Sequence, residues 1–246
     1  MTNRKVALVT GASRGIGRAI ADQLVADGFD LTISARDPEG LKQARDEIAT
    51  AGGTILAVAG DMSEDDDVVA LADAHIARFP RLDLLVLCAG LGSAGTFEDY
   101  PLRKFDKQIA LHVRSPMLLI QRLLSMLRAT AESEPESGSK VIALSSITGV
   151  VAELDLAAYG ASKAALISLC ESITIAEASS GVTATSISPG YVDTDMGRWA
   201  RDQVSPDVMI RASDIAVLVS AISRLSRYAV VPNIVVTRPG SSLWRA

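Results

Sequence analysis

In the stretch "YGASK", Tyr159 and Lys163 stand four positions apart. In a helix, positions i and i+4 share a face, so the phenol and the ammonium would project together, one turn apart. A fixed cation at that distance stabilises a phenolate and lowers a pKa whose reference value is about 10. The pair would be a proton donor tuned by its neighbour to work near neutral pH. Gly160, Ala161 and Ser162 between them are small and leave room for something flat to approach. Read alone, the fragment fits equally well an interfacial tyrosine beside a snorkelling lysine.

A second stretch, "TGASRGIG" at residues 10–17, places Gly11, Gly15 and Gly17 around Ser13, Arg14 and Ile16. Glycines at such a strand-to-helix turn let the backbone approach a pyrophosphate, while the helix N-terminus supplies free N–H groups and a favourable dipole. A plain turn without ligand is the alternative, and the position after a first strand favours dinucleotide binding. The end of the second strand reads "TISARD", with Ala35 where an acid would meet the ribose 2′-OH of NAD, followed by Arg36. Arg36 and Arg14 are cationic partners suited to a 2′-phosphate, which favours NADP(H) over NAD(H). A register two residues further along would restore an acid, Asp37.

These groups need a frame. Seven short aliphatic or β-branched runs, "KVALVT", "DLTISA", "TILAVA", "LDLLVLCA", "KVIALSS", "VTATSIS" and "NIVVT", alternate with segments of helical period. Such alternation predicts parallel βαβ units with both sheet faces covered. The expected fold is α/β, a doubly wound Rossmann-like three-layer arrangement on a seven-stranded parallel sheet. One domain over residues 1–246 is expected, the first half binding dinucleotide and the second carrying catalysis and substrate. Residues 129–139, "ATAESEPESGS", read as a solvated loop, and the irregular segment from Asp193 to Ala212 as a lid.

The composition fits an ordinary globular chain: 246 residues, 22% charged, 48% hydrophobic, net charge −5. A basic footprint for nucleic acid is absent, and "KVALVTG" is too short an apolar run for a signal peptide or membrane span. Cys88 and Cys170 are too few for a disulfide framework and lack metal-ligand spacing. No metal and no membrane association are expected, and the setting is expected to be reducing and cytoplasmic.

With "TGASRGIG", "SS" at 145–146, "YGASK" and "SPGYVDTDM" at 188–196, the chain resembles the compact short-chain dehydrogenase/reductases over nearly its whole length. The resemblance implies that Ser146, thirteen residues before Tyr159, joins Tyr159 and Lys163 as the catalytic set. It also implies that Asp61, beside Met62, meets the adenine, that Ala89 and Gly90 line the cofactor, and that Val192 and Thr194, after Pro189 and Gly190, hold the nicotinamide carboxamide. Lys163 would further bond the nicotinamide ribose. Two positions depart from the family pattern. Cys88 stands where a structural Asn is usual, and His112 where the fourth catalytic residue is usually Asn. His112 therefore reads either as a titratable proton relay or as a replacement whose main-chain carbonyl alone holds a relay water, the second being favoured.

The expected function is an NADPH-dependent carbonyl reductase, reversible as an alcohol dehydrogenase. The alternatives are a 3-oxoacyl thioester reductase and a non-catalytic NADP(H) sensor. Leu91, Val151, Leu154, Tyr191, Met196 and Trp199, with Glu153 and Asp155, are expected around a small, mainly apolar carbonyl or alcohol substrate. The resemblance further implies a homo-oligomer, tetramer or dimer, built through the two long helices bearing His112 and Tyr159.

Overall fold

Seven strands form one parallel sheet in the order β3-β2-β1-β4-β5-β6-β7. The computed structural model describes residues 4–200 and 204–240, with the side chains of residues 199 and 200 left out. The strands are β1 (Val6–Thr10), β2 (Asp30–Ala35), β3 (Ile55–Ala59), β4 (Leu84–Leu87), β5 (Ser139–Leu144), β6 (Val182–Pro189) and β7 (Asn233–Val236). Each falls within one of the seven aliphatic runs, or within a residue of it. The helices are α1 (Gly15–Ala26), α2 (Pro38–Ala49), α3 (Asp65–Arg78), α4 (Leu102–Ile109), α5 (Ser115–Ser133), α6 (Ala157–Glu177) and α7 (Ala212–Ser223). A five-residue π-helical turn, Ala110–Arg114, joins α4 to α5.

Successive β1 residues serve opposite faces, as a pleated strand requires. Ala7 and Val9 pack in one core with Ile20, Leu24, Ile33 and Val219 from α1, β2 and α7. Leu8 packs in the other with Leu71, Leu119 and Leu166 from α3, α5 and α6. Two covered faces explain why the strands are apolar throughout.

The strand order turns back between β1 and β4, and open parallel sheets bind ligands outside the carboxyl ends at such a point. Thr10 closes that seam. Its hydroxyl accepts the N–H groups of both Cys88 and Ala89 at 3.0 Å. Cys88, with no amide to spend there, thus has its main chain held from the neighbouring strand.

The expected loop at 129–139 is helical to Ser133. Thr130 and Ala131 are buried, and the Thr130 hydroxyl accepts the Leu82 N–H at 3.0 Å, so packing overrides the polar local sequence. The 193–212 segment holds two 3₁₀ turns, Met196–Ala200 and Pro206–Val208, and a bridge from Val192 to Ile210. Its residues 201–203 lie outside the described part. No helix among the described residues is long and apolar enough to cross a membrane.

Replacing Thr10 with Val keeps the shape and removes the acceptor. The variant should lose about 1–3 kcal/mol through two stranded N–H groups, read as a lower urea midpoint with unchanged slope; an unchanged midpoint would refute the seam.

Candidate active site

β5 ends at Leu144, and the chain then places Ser145 and Ser146 at the head of a 3₁₀ turn, Ile147–Gly149. The two serines divide the work. The Ser145 hydroxyl donates to Lys163 O at 2.9 Å, tying the strand end to α6. Ser146 faces the other way: its Oγ accepts Thr148 N–H at 3.3 Å and Thr148 Oγ1–H at 3.0 Å, and it is the side chain that acts on the Tyr159 phenol against burial. Lys163 Nζ donates to Leu144 O at 2.8 Å and stands 5.6 Å from the centroid of the Tyr159 ring.

Among the small residues between Tyr159 and Lys163, Gly160 serves close backbone packing. A Cβ on Gly160 would stand 2.7 Å from Thr148 O, and one on Gly149 would stand 2.8 Å from Lys163 C. The glycines let the 3₁₀ turn and α6 touch backbone to backbone. Ser162 is buried and engaged, as described below.

The electrostatics also correct the expectation. Burial pushes the Tyr159 phenol up to about 12, with Ser146 opposing it. Burial likewise brings Lys163 down to about 8. Desolvation dominates because the ammonium is directed at a main-chain carbonyl rather than at the phenol oxygen. At pH 7 the phenol keeps its proton and the lysine its charge, which is a proton-donating state. Burial raises the neighbouring Cys88 thiol to about 12, so it is uncharged there.

His112 lies on the π turn, 1% exposed, its ring edge-on to Tyr159 with centroids 5.7 Å apart. Leu91 N–H donates to its Nε2 at 3.1 Å. Nδ1 lies 2.9 Å from Ser162 Oγ, and the Ser162 hydroxyl donates to Tyr159 O at 2.7 Å. Proton counting fixes the tautomer: the serine's only proton is used, so Nδ1 must donate and Nε2 must accept. Both nitrogens are committed. Burial, and then the Lys163 charge, push the imidazole down to about 2. This neutral ring is a strut between the β4–α4 connection and the Tyr159 turn. Sequence reading missed Ser162 because a serine in a small-residue run has no signature until its partners are known.

On the other side of the seam lies the glycine loop. Gly11 and Gly15 have φ of +71° and +59°, and a Cβ on Gly17 would fall 2.2 Å from Gly11 O. Arg14, at the N-cap of α1, provides no side-chain cap, so the first-turn N–H groups face outward without one. The Ile16 side chain packs on the core, leaving its main chain for a ligand. A pyrophosphate fits this cradle. Arg36 follows β2 directly and is 62% exposed at its side chain. Asp37 is used up: it caps α2, accepting from Glu39 N–H and Gly40 N–H at 3.2 Å each. The register that would restore an acid is therefore not the one adopted.

Burial alone would raise the Asp61 carboxyl, yet bonds from Ser63 and the Lys107 ammonium at 3.4 Å hold it below its usual range. Lys107 had no signal in the sequence beyond its helical position. Met62 is 3% exposed and belongs to the core, so its side chain is withdrawn from any cofactor. Ala89 and Gly90 follow β4, and a Cβ on Gly90 would lie 3.5 Å from His112 Nε2 and 3.6 Å from Lys163 Nζ. Pro189 ends β6, Gly190 N–H donates to Val236 O, and Val192 is buried. The Thr194 methyl lies 3.4 Å from where a Gly15 Cβ would be, while Arg14 pairs with Asp195 at 2.9 Å. Ser13 remains in the loop, between β1 and α1.

Around the mouth, Tyr191 OH donates to Glu153 at 3.1 Å, and Asp155 O accepts Gly95 N–H at 2.9 Å. Met196 approaches Gly92, and Leu154 is 87% exposed. The Trp199 side chain lies outside the described part. Among the described residues no group of three or more His, Cys, Asp or Glu could hold a metal ion.

A parallel doubly wound sheet, a glycine cradle at β1–α1 and a Ser-Tyr-Lys corner, its serine and lysine buried and its tyrosine half-buried, together define a nucleotide-binding type of α/β oxidoreductase. The family described as short chain dehydrogenase matches residues 5–205, and the chain belongs to it. A 3-oxoacyl-[acyl-carrier-protein] reductase of rhamnolipid biosynthesis from Pseudomonas aeruginosa is 35% identical over 79% of this chain and 75% of its own. The Pseudomonas aeruginosa RhlG/NADP active-site complex superposes with a TM-score of 0.84 at 30% identity, covering 95% of this chain and 94% of that one. An alcohol dehydrogenase from the archaeon Thermococcus sibiricus, complexed with 5-hydroxy-NADP, gives 0.86 at 25% identity over 97% of both.

The chain's two histidines, His75 and His112, are both buried, with burial lowering His75 to about 4. Unfolding between pH 4 and 6.5 should take up two protons, so stability falls toward acid by up to ~2.7 kcal/mol per pH unit. His112→Asn should remove about half of that slope in urea titrations at pH 5 to 7 and leave the enzyme's kcat against pH unmoved near 6.5. A wild-type kinetic ionisation there that vanishes in the variant would restore the relay role.

Proposed function

We propose that this oxidoreductase is an NADP(H)-dependent carbonyl reductase, working in reverse as an alcohol dehydrogenase. One observation carries the reading: a half-buried Tyr159 set with the buried Ser146 and Lys163 at the carboxyl edge of the sheet, its phenol raised to about 12 and the lysine lowered to about 8. NADP(H) would supply and recover the hydride. Gly11, Ser13, Arg14, Gly15, Ile16 and Gly17 would hold its pyrophosphate, Arg36 and Arg14 its 2′-phosphate, and Asp61 its adenine. Ala89 and Gly90 would line it, Lys163 would bond the nicotinamide ribose, and Pro189, Gly190, Val192 and Thr194 the nicotinamide end. The engagement of Asp37 in capping α2 supports the phosphate-bearing cofactor, because no carboxylate remains at the end of β2 to accept a 2′-OH.

In reduction, Ser146 donates a hydrogen bond to the substrate oxygen and holds it against Tyr159. Tyr159 then gives its proton to that oxygen as its negative charge develops, and Lys163 stabilises the phenolate left behind. A proton returns to Tyr159 before the next turnover. A sensor that binds without turnover has no need of the full Ser-Tyr-Lys set. Two free cysteines support a reducing, cytoplasmic setting. Exposed Met117 on α5 and Ile175 on α6 support assembly through those helices as a dimer or tetramer.

Tyr159→Phe should lower reductase kcat by ~10² to 10⁴ with NADPH binding kept, since general acid catalysis supplies that much. Near-normal turnover would exclude the phenol as acid. In the wild type, kcat/KM for reduction should fall as pH rises through about 8, where the Lys163 ammonium is lost while Tyr159 stays protonated. Arg36→Asp should raise KM for NADPH and improve the relative use of NADH; an unchanged ratio would move phosphate recognition to Arg14.

A further inference from the structure

Arg14 stands at the head of α1, in the glycine cradle, with its side chain 72% exposed. Its Nη1 donates to Asp195 Oδ2 at 2.9 Å, across 181 positions of chain. Asp195 belongs to the segment after β6, whereas Arg36 follows β2, and those two strands lie on opposite sides of β1 in the sheet. Asp195 therefore draws Arg14 toward the side assigned to the nicotinamide, away from Arg36.

A tight turn presents this carboxylate. Thr194 Oγ1 donates to Val192 O at 3.4 Å and Gly197 N–H to Thr194 O at 3.1 Å, while a Cβ on Gly197 would fall 2.6 Å from Val192 O. The Thr194 methyl lies 3.4 Å from where a Gly15 Cβ would be, so the turn rests on the cradle itself. Asp195 has a second partner as well: Arg198 Nη2 stands 2.5 Å from its other oxygen. Losing Arg14 does not leave the carboxylate unpaired, so handing that guanidinium to another anion costs little. Arg36, by contrast, has among the described residues only Asp61 as an ion-pair partner, at 4.0 Å. The two cations suited to a 2′-phosphate are thus unequal, one loosely held and the other already committed to an acid.

Resting on the NADP(H) reading, we propose that Asp195 is a built-in rival of the cofactor's 2′-phosphate for Arg14, and so a residue that sets how strongly this chain prefers NADP(H) over NAD(H). A phosphate monoester carries more charge than a carboxylate and three acceptor oxygens, and it matches the paired N–H donors of a guanidinium. It takes Arg14, and Asp195 keeps Arg198. NAD(H) lacks that phosphate and leaves the Arg14–Asp195 pair in place.

The test reads cofactor binding without turnover, by fluorescence titration of NADPH and NADH with no carbonyl compound present. Asp195→Asn should lower the Kd for NADPH about fivefold, the upper end of what an exposed ion pair supports, and leave that for NADH within about twofold. The gain should shrink at high salt. Arg14→Ala should weaken NADPH binding, and in that background Asp195→Asn should change it by less than about twofold, because the contested group is gone. An unchanged NADPH Kd in Asp195→Asn overturns the rivalry and leaves the NADP(H) reading standing on Arg36. NADPH affinity untouched by Arg14→Ala does the same. An equal gain for NADH, or a gain that persists without Arg14, overturns it too, since Asp195 then acts as a general repelling charge. Failure of the wild type and Asp195→Asn alike to bind NADPH refutes the NADP(H) reading itself, and the rivalry falls with it.

Discussion

An ammonium withdrawn from water needs a fixed dipole, and Leu144 O meets Lys163 Nζ at 2.8 Å to provide one. Much of the site's construction serves that placement. The Ser145 hydroxyl holds Lys163 O, and Gly149 and Gly160 let the 3₁₀ turn and α6 approach through their backbones. With α6 docked this way, Tyr159 comes one turn before the lysine and faces Ser146. Burial then decides the protonation states, keeping the phenol neutral and the lysine within reach of losing its charge.

The opposite wall is set by the α4–α5 rod. A π turn inserts one residue into the usual helical ladder and often marks a functional site. Here it carries His112, whose ring reaches Leu91 on one side and Ser162 on the other. A directed chain of three hydrogen bonds runs from the β4–α4 connection to the Tyr159 carbonyl. Any ligand that shifts Leu91 therefore strains the turn on which the acid stands.

Most of the frame was legible beforehand because its signals are local. Aliphatic runs marked the strands, and their alternation with helical segments implied a parallel, doubly wound sheet. The "YGASK" and "TGASRGIG" stretches likewise announced a phenol–ammonium pair and an anion cradle. What stayed hidden depends on partners far apart in the chain. Thr10 holds the segment just after β4 by receiving the N–H groups of Cys88 and Ala89. Thr130 draws a polar stretch into a helix through Leu82. The Tyr159 pKa runs opposite to the simple pair argument because desolvation, which no spacing reveals, outweighs a charge aimed elsewhere. Asp37 could be dismissed as a ribose acceptor only once its capping of α2 was seen.

The strand order also divides the molecule's inheritance. Arg36 and Asp61 follow β2 and β3 on one side of the β1–β4 seam, whereas Ser146, Tyr159 and Lys163 follow β5 on the other. Neither group shares a hydrogen bond with the other among the described residues, and groups so separated combine their effects almost independently. Cofactor choice and substrate chemistry can consequently drift, or be bred, as two separate traits, provided the threonine at the seam is left in place.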